Sequence, residues 1–145
     1  MNIRSISFLL PAFILFACGN TNSTENNNDG QATEVAEQSG TFKNVNEEQF
    51  AELMEKEAAF VLDVRTPNEW DGGFINGAHF MNYYDEDFKE RLAKLNKDVP
   101  VLVYCKVGGR SGSAMDMMKG MGFTEVYNLS GGIDAWASQG MPLDK

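Results

Sequence analysis

The chain predicts an α/β domain built on a mainly parallel, roughly five-stranded central sheet flanked by helices, and three observations carry that expectation. From residue 41 onward, short apolar runs alternate with segments of helical periodicity, the pattern of strands joined by crossover helices. Two of the runs, Ala59-Phe60-Val61-Leu62-Asp63-Val64 and Val99-Pro100-Val101-Leu102-Val103-Tyr104, are almost continuously apolar, as strands become when helices cover both sheet faces. The second run ends at Cys105, where a glycine-bearing loop hands over to a helical pattern. In open sheets of this kind, chemistry collects at the carboxyl ends of strands.

The elements follow in order. Phe42-Lys43-Asn44-Val45 alternates like a short strand, and Asn46-Glu47-Glu48-Gln49 resembles a capping box ahead of Phe50, Leu53 and Met54. A helix is expected from about Glu47 to Lys56. After the strand at 59–64, Thr66 to Trp70 opens a turn or short helix, with Pro67 suited to a first helical position. Gly72 to Phe80 carries a loop into another short strand. Phe88, Leu92 and Leu95 recur at helical spacing and predict an amphipathic helix from Asp85 to Leu95. Beyond the Cys105 loop a helix is expected from Ser111 to about Met121, then a strand near Glu125 to Leu129 and a last helix around Ile133 to Ser138.

The residues before this domain have another character. Arg4 is followed by the uncharged stretch Ile6 to Ala17, long enough for a signal-peptide core and short of the roughly 20 apolar residues that span a bilayer. Leu15-Phe16-Ala17-Cys18-Gly19 resembles a bacterial lipobox. That resemblance implies a lipoprotein signal peptide over residues 1–17, with Cys18 acylated. Residues 18–40 then form a disordered polar tether, because a stretch such as Asn26-Asn27-Asn28 buries too little to offset the entropy of ordering it. Residues 41–145 form one domain. The expected location is the cell envelope, on the periplasmic or outer-membrane side, with the membrane held through the lipid.

The 145 residues carry 21 acidic and 12 basic side chains, a net charge of −9, and every acidic residue lies beyond Cys18. Such a balance argues against a nucleic-acid partner and against polybasic docking on anionic lipid. Of the 2 cysteines, Cys18 is assigned to lipid, so Cys105 has no disulfide partner in its own chain. A lone thiol in an exported protein points to reactivity. His79 is the single histidine, no metal-ligand set accompanies it, and neither a metal nor another cofactor is expected. The domain is expected to be a monomer.

Cys105-Lys106-Val107-Gly108-Gly109-Arg110-Ser111 supplies three means of lowering a thiol pKa. Gly108 and Gly109 allow backbone angles that turn N–H groups inward, Lys106 and Arg110 bring positive charge, and the following helix adds its dipole. The sulfur of Cys105 is thus expected at the centre of a ring built by Lys106, Val107, Gly108, Gly109, Arg110 and Ser111.

With this loop, four segments resemble the rhodanese family of sulfurtransferases, over residues 42–145. Leu62-Asp63-Val64-Arg65-Thr66-Pro67-Asn68-Glu69-Trp70 is similar to its first signature and Gly73-Phe74-Ile75-Asn76-Gly77-Ala78 to its second. Cys105 to Ser111 resembles its active loop, and Leu129-Ser130-Gly131-Gly132-Ile133-Asp134-Ala135-Trp136 its closing motif. The resemblance implies a three-layer domain and a two-step reaction. Cys105 takes the outer sulfur of a small anion such as thiosulfate, then passes it as a persulfide to a thiol or cyanide acceptor. Lys106 and Arg110 would attract the anionic donor. Two other readings stand beside it: a relay or protein-binding module without notable turnover, and a phosphatase or arsenate reductase of the same fold. The phosphatase-like relatives have five residues between cysteine and arginine where this chain has four, Lys106 to Gly109, and the shorter ring suits a single sulfur atom.

Asp63 and Arg65 support the site as a satisfied structural pair, with Glu69 as the expected partner of Arg65 and a backbone amide as that of Asp63. His79 is expected to be a hydrogen-bonded structural residue. Met115, Met117, Met118 and Met121 are assigned to a core or groove, and Trp70 and Trp136 to the core. Gly131-Gly132 is a tight strand-to-helix turn.

Overall fold

The computed structural model describes residues 40–56 and 58–145. The expected signal peptide, Cys18 and the expected tether up to residue 39 lie outside the described residues. Five strands, β1 (Thr41–Val45), β2 (Phe60–Asp63), β3 (His79–Phe80), β4 (Val101–Tyr104) and β5 (Glu125–Leu129), alternate with helices α1 (Glu47–Lys56), α2 (Pro67–Trp70), α3 (Phe88–Ala93), α4 (Gly109–Gly120) and α5 (Gly132–Ser138). They form one sheet in the order β1-β5-β4-β2-β3, and every strand pairing is parallel.

The apolar runs alternate across the sheet as the pleat requires. Val101 and Val103 face one core with Leu62 and Val126, under Phe88 and Leu92 of α3 and Ala114 and Met118 of α4. Leu102 and Tyr104 face the other with Val61 and Leu129, under Phe50 of α1 and Ile133 and Trp136 of α5. Helices therefore cover both faces, which is why β4 is apolar at every position. Phe50 meets Tyr104 and Trp136 edge-on, with centroids 6.4 and 6.0 Å away, an arrangement that suits aromatic quadrupoles.

Local chemistry starts the helices where expected in two cases. Asn46 Oδ1 accepts from the Gln49 N–H at 2.9 Å while Gln49 Oε1 accepts from the Asn46 N–H at 3.2 Å, the reciprocal capping box at the head of α1. Pro67 opens α2. Two helices differ from expectation. α3 starts at Phe88, because residues 83–87 are spent on turns pinned by the Tyr83 N–H on the Val64 carbonyl and the Phe88 N–H on the Asp85 carbonyl. α4 starts at Gly109 and not Ser111, which brings Arg110 and Ser111 into its first turn.

Of the two tryptophans, Trp136 is buried and donates its indole N–H to the Pro142 carbonyl at 2.9 Å. Trp70 is only half-buried, lying 4.9 Å from the Phe80 ring at the short edge strand β3. Met118 is in the core, with Met115, Met117 and Met121 packed against it. His79 is exposed and stacks on Phe60, rings 4.2 Å apart, so its structural role is one of stacking.

Candidate active site

Cys105 follows the last residue of β4, a strand held between β2 and β5, so the backbone behind the sulfur is braced on both sides. The residue is 1% exposed. A strand-end thiol buried without donors would stay protonated, yet here the backbone turns over it. Gly108 adopts φ +91°, a left-handed geometry that glycine takes at little cost, and its N–H points at Sγ from 3.2 Å. Burial pushes the thiol pKa up. The Ser111 hydroxyl and amide, with the amides of Val107 and Gly108, push it down further and leave it below its ordinary value.

Of the residues expected around the sulfur, Gly108 places its N–H at hydrogen-bond distance from Sγ, and it alone of the two loop glycines has a left-handed backbone angle. Gly108 is needed on a second count: a Cβ there would stand 2.0 Å from the Ser130 carbonyl oxygen. The Gly108 carbonyl accepts from the Gly112 N–H at 2.9 Å and Asn128 Nδ2 at 3.2 Å, and it lies 3.1 Å from the Ser111 hydroxyl oxygen, whose single proton can turn to this carbonyl or to the sulfur. Replacing Ser111 with alanine removes a donor that favours the charged sulfur and raises the thiol pKa. The rate of alkylation of Cys105 by iodoacetamide is therefore expected to fall most at low pH, the acidic limb moving to higher pH. An unmoved limb would remove Ser111 from the thiolate's donors.

The loop is also braced from the end of the domain. At the head of α5 the Ile133 N–H donates to the Cys105 carbonyl at 2.9 Å and the Asp134 N–H to the Lys106 carbonyl at 3.1 Å. Gly132, at φ +60°, makes this approach possible, since a Cβ there would lie 2.3 Å from the Lys106 oxygen and 2.6 Å from that of Cys105. Gly132→Ala is expected to cost at least about 1–2 kcal/mol for the backbone angle alone, with the steric conflict added. An unchanged urea midpoint would contradict so close a packing.

Asp63 and Arg65 form the expected structural pair. Arg65 Nη2 lies 2.6 Å from Asp63 Oδ2, with side chains 5% and 0% exposed. Asp63 Oδ1 also accepts the Arg65 backbone N–H at 2.9 Å, and Arg65 donates onward to the carbonyls of Glu69 and Gly73, both at 2.8 Å. Arg65 thus reaches Glu69 through its backbone, and the Glu69 carboxylate goes elsewhere. Glu69 Oε2 and Oε1 accept from Arg110 Nη1 and Nη2 at 2.8 Å each, a two-pronged pair from α2 to the sulfur loop. Arg110 above all, with Thr66 adding its N–H and hydroxyl, lowers the Glu69 pKa from 4.5 to about 2. The folded pKa is depressed, so this pair's contribution to stability is complete above about pH 4.5 and is lost as the pH falls toward 2. The Arg110 pKa is pushed up by Glu69 first and, to a smaller extent, by the Cys105 thiolate nearby.

Lys106 is exposed and makes no ion pair with any described residue. It lines a cleft of about 330 Å³ with Arg65, Glu69, Ile133, Asp134 and Leu143. Val107, on the loop, is 63% exposed, and Tyr84, whose ring centroid is 5.7 Å from the Arg110 guanidinium carbon, is 67% exposed. Glu69, Tyr84, Asn128 and Gly132 join the site without a local signal for it: Glu69 has Arg65 as its nearer cation in sequence, Gly132 reads as a turn residue, and nothing local marks Tyr84 or Asn128.

A buried thiol at the carboxyl end of a central parallel strand, met by the Gly108 N–H, marks this α/β domain's candidate site. Residues 46–139 match the model of the rhodanese-like domain, and the chain belongs to that family. It is 40% identical over 96 residues to the thiosulfate sulfurtransferase GlpE of Pseudomonas putida, spanning 66% of this chain and 84% of that protein. It is also 39% identical over 98 residues to YqhL of Bacillus subtilis, an uncharacterized protein, spanning 68% of this chain and 75% of the relative. Among solved structures, a rhodanese-related protein from Thermoplasma volcanium matches with a TM-score of 0.62 at 28% identity, over 70% of this chain and 97% of that one. The protein is accordingly an enzyme of the sulfurtransferase family.

Proposed function

We propose that the domain moves sulfane sulfur from thiosulfate or a related donor to a thiophilic acceptor through a persulfide on Cys105. The observation that carries the reading is a buried sulfur at the carboxyl end of β4 that accepts the Gly108 N–H, with Ser111, Val107 and Gly108 holding its pKa below the ordinary value. In the first step the thiolate attacks the outer sulfur of the donor. An S–S bond forms at Sγ, the donor's own S–S bond breaks, and its electron pair leaves with sulfite. The persulfide keeps one negative charge, which the same amides can hold as an oxyanion hole holds oxygen. In the second step cyanide or a thiol takes the terminal sulfur and the thiolate returns, a covalent relay that divides one transfer into two easier ones.

Incubation with thiosulfate should add the mass of one sulfur to the intact protein, located by fragmentation to Cys105, and cyanide should remove it. A folded protein that gains no sulfur would overturn the reading. We place the enzyme in the cell envelope, as a monomer anchored through a lipid on Cys18 on the periplasmic or outer-membrane side, by the lipobox-like sequence before Gly19. Radiolabelled palmitate should enter the chain in a bacterial host. Label that survives Cys18→Ser would remove the anchor.

A further inference from the structure

The cations beside Cys105 are matched by carboxylates. Both terminal nitrogens of Arg110 are committed to Glu69 at 2.8 Å, and the pair is set well into the surface, with side chains 18% and 26% exposed. The carboxylate is not free to swing away, because Glu69 Oε2 also accepts the Thr66 N–H at 2.9 Å and the Thr66 hydroxyl at 2.8 Å. Lys106 shares its cleft with Glu69 and Asp134. A doubly charged donor therefore meets little net positive charge at this mouth, on a chain whose overall charge is −9. The two large hydrophobic side chains that stand exposed among the described residues are Tyr84, whose ring centroid lies 5.7 Å from the Arg110 guanidinium carbon, and Val107, two residues after Cys105 on the loop.

Resting on the sulfurtransferase reading above, we infer that Glu69 is a positioning residue that sets donor specificity. By holding and neutralising Arg110 it biases the site toward a singly charged organic sulfane-sulfur donor with an apolar tail, over dianionic thiosulfate. The apolar tail lies on Tyr84 and Val107. With an aryl thiosulfonate the chemistry balances as it does for thiosulfate: the Cys105 thiolate bonds to the terminal sulfur, the donor's S–S bond breaks, and the electron pair leaves on an arenesulfinate in place of sulfite. The thiolate and the monoanion, two negative charges together, give one persulfide and one sulfinate.

The test compares kcat/KM for benzenethiosulfonate and for thiosulfate, with cyanide as the common acceptor and thiocyanate as the common product. Wild type should favour benzenethiosulfonate. Glu69→Gln keeps the shape and the capacity to accept from Thr66 but releases the charge of Arg110. The donor ratio should move toward thiosulfate by about tenfold at low salt, equivalent to about 1.4 kcal/mol. The gain should shrink as ionic strength rises, since it is electrostatic, and adding Arg110→Gln should cancel it. Tyr84→Ser with Val107→Ser should lower use of benzenethiosulfonate more than use of thiosulfate. A loss of structure would depress both donors together, so an unchanged ratio, or an equal fall for both in Glu69→Gln, overturns the role of Glu69. Loading of both donors onto wild-type Cys105 with no response of the ratio would sink this inference alone. Failure of both donors to load sulfur would sink it together with the transfer reaction.

Discussion

Cys105→Ser is expected to fold and to transfer no sulfur. The serine hydroxyl fits the buried position and can accept from the Gly108 N–H that now meets the sulfur at 3.2 Å, so no group in the loop loses its partner. What disappears is the nucleophile. An alkoxide cannot form at neutral pH with these donors, and oxygen does not carry a transferable sulfur as a persulfide does. Removing the residue that forms the covalent intermediate disables the whole two-step route, so thiocyanate production should fall to the uncatalysed rate. Circular dichroism and the urea midpoint should stay within about 1 kcal/mol of wild type, as for other substitutions that leave no cavity or orphaned group. Turnover above about one thousandth of wild type would mean that another group carries sulfur.

The second large effect concerns folding. Asp63→Ala leaves Arg65 charged in a nearly water-free site, because desolvation works against the guanidinium and the Asp63 carboxylate more than compensates, holding its pKa above the ordinary value. Breaking such a pair from one side costs about 3–5 kcal/mol. Against a total stability of about 5–15 kcal/mol for a domain of this kind, that is a large share. The carbonyls of Glu69 and Gly73 would remain as the only acceptors for Arg65, so the segment between β2 and β3 should loosen as well. Asp63→Asn, which still offers one oxygen, should cost less. Replacing both residues by apolar ones of similar size should cost less than Asp63→Ala alone, since no charge is then stranded. A urea midpoint for Asp63→Ala within about 1 kcal/mol of wild type would show that water reaches Arg65.

The parts of the fold that sequence showed well are those with strong local signals. β2, β4 and β5 stand out because both sheet faces are covered, and α1 because Asn46 and Gln49 cap it reciprocally. The loop was legible because a thiol, glycines and an arginine sit within seven consecutive positions. The less legible parts are pairings between distant segments. Glu69 and Arg110 lie 41 positions apart, and a nearer arginine, Arg65, offered a plausible partner. Gly132 looked like a turn residue, whereas its stricter requirement comes from carbonyls far upstream at 105 and 106. α4 begins at Gly109, two residues before the expected Ser111, because the left-handed angle of Gly108 performs the turn.

The strand order has a consequence in time. β5 lies between β1 and β4, so the first strand of the domain has no neighbour in the sheet until residues 125–129 have been synthesised. The Cys105 and Lys106 carbonyls likewise wait for the amides of Ile133 and Asp134. Pairings this far apart in sequence close late and slowly, because the entropy of the intervening chain is spent before any contact rewards it. A ribosome-bound fragment stopped short of α5 would carry the reactive cysteine without the hydrogen bonds that brace its loop. The backbone behind the thiol is held from this side only once residues 132–138 have been made.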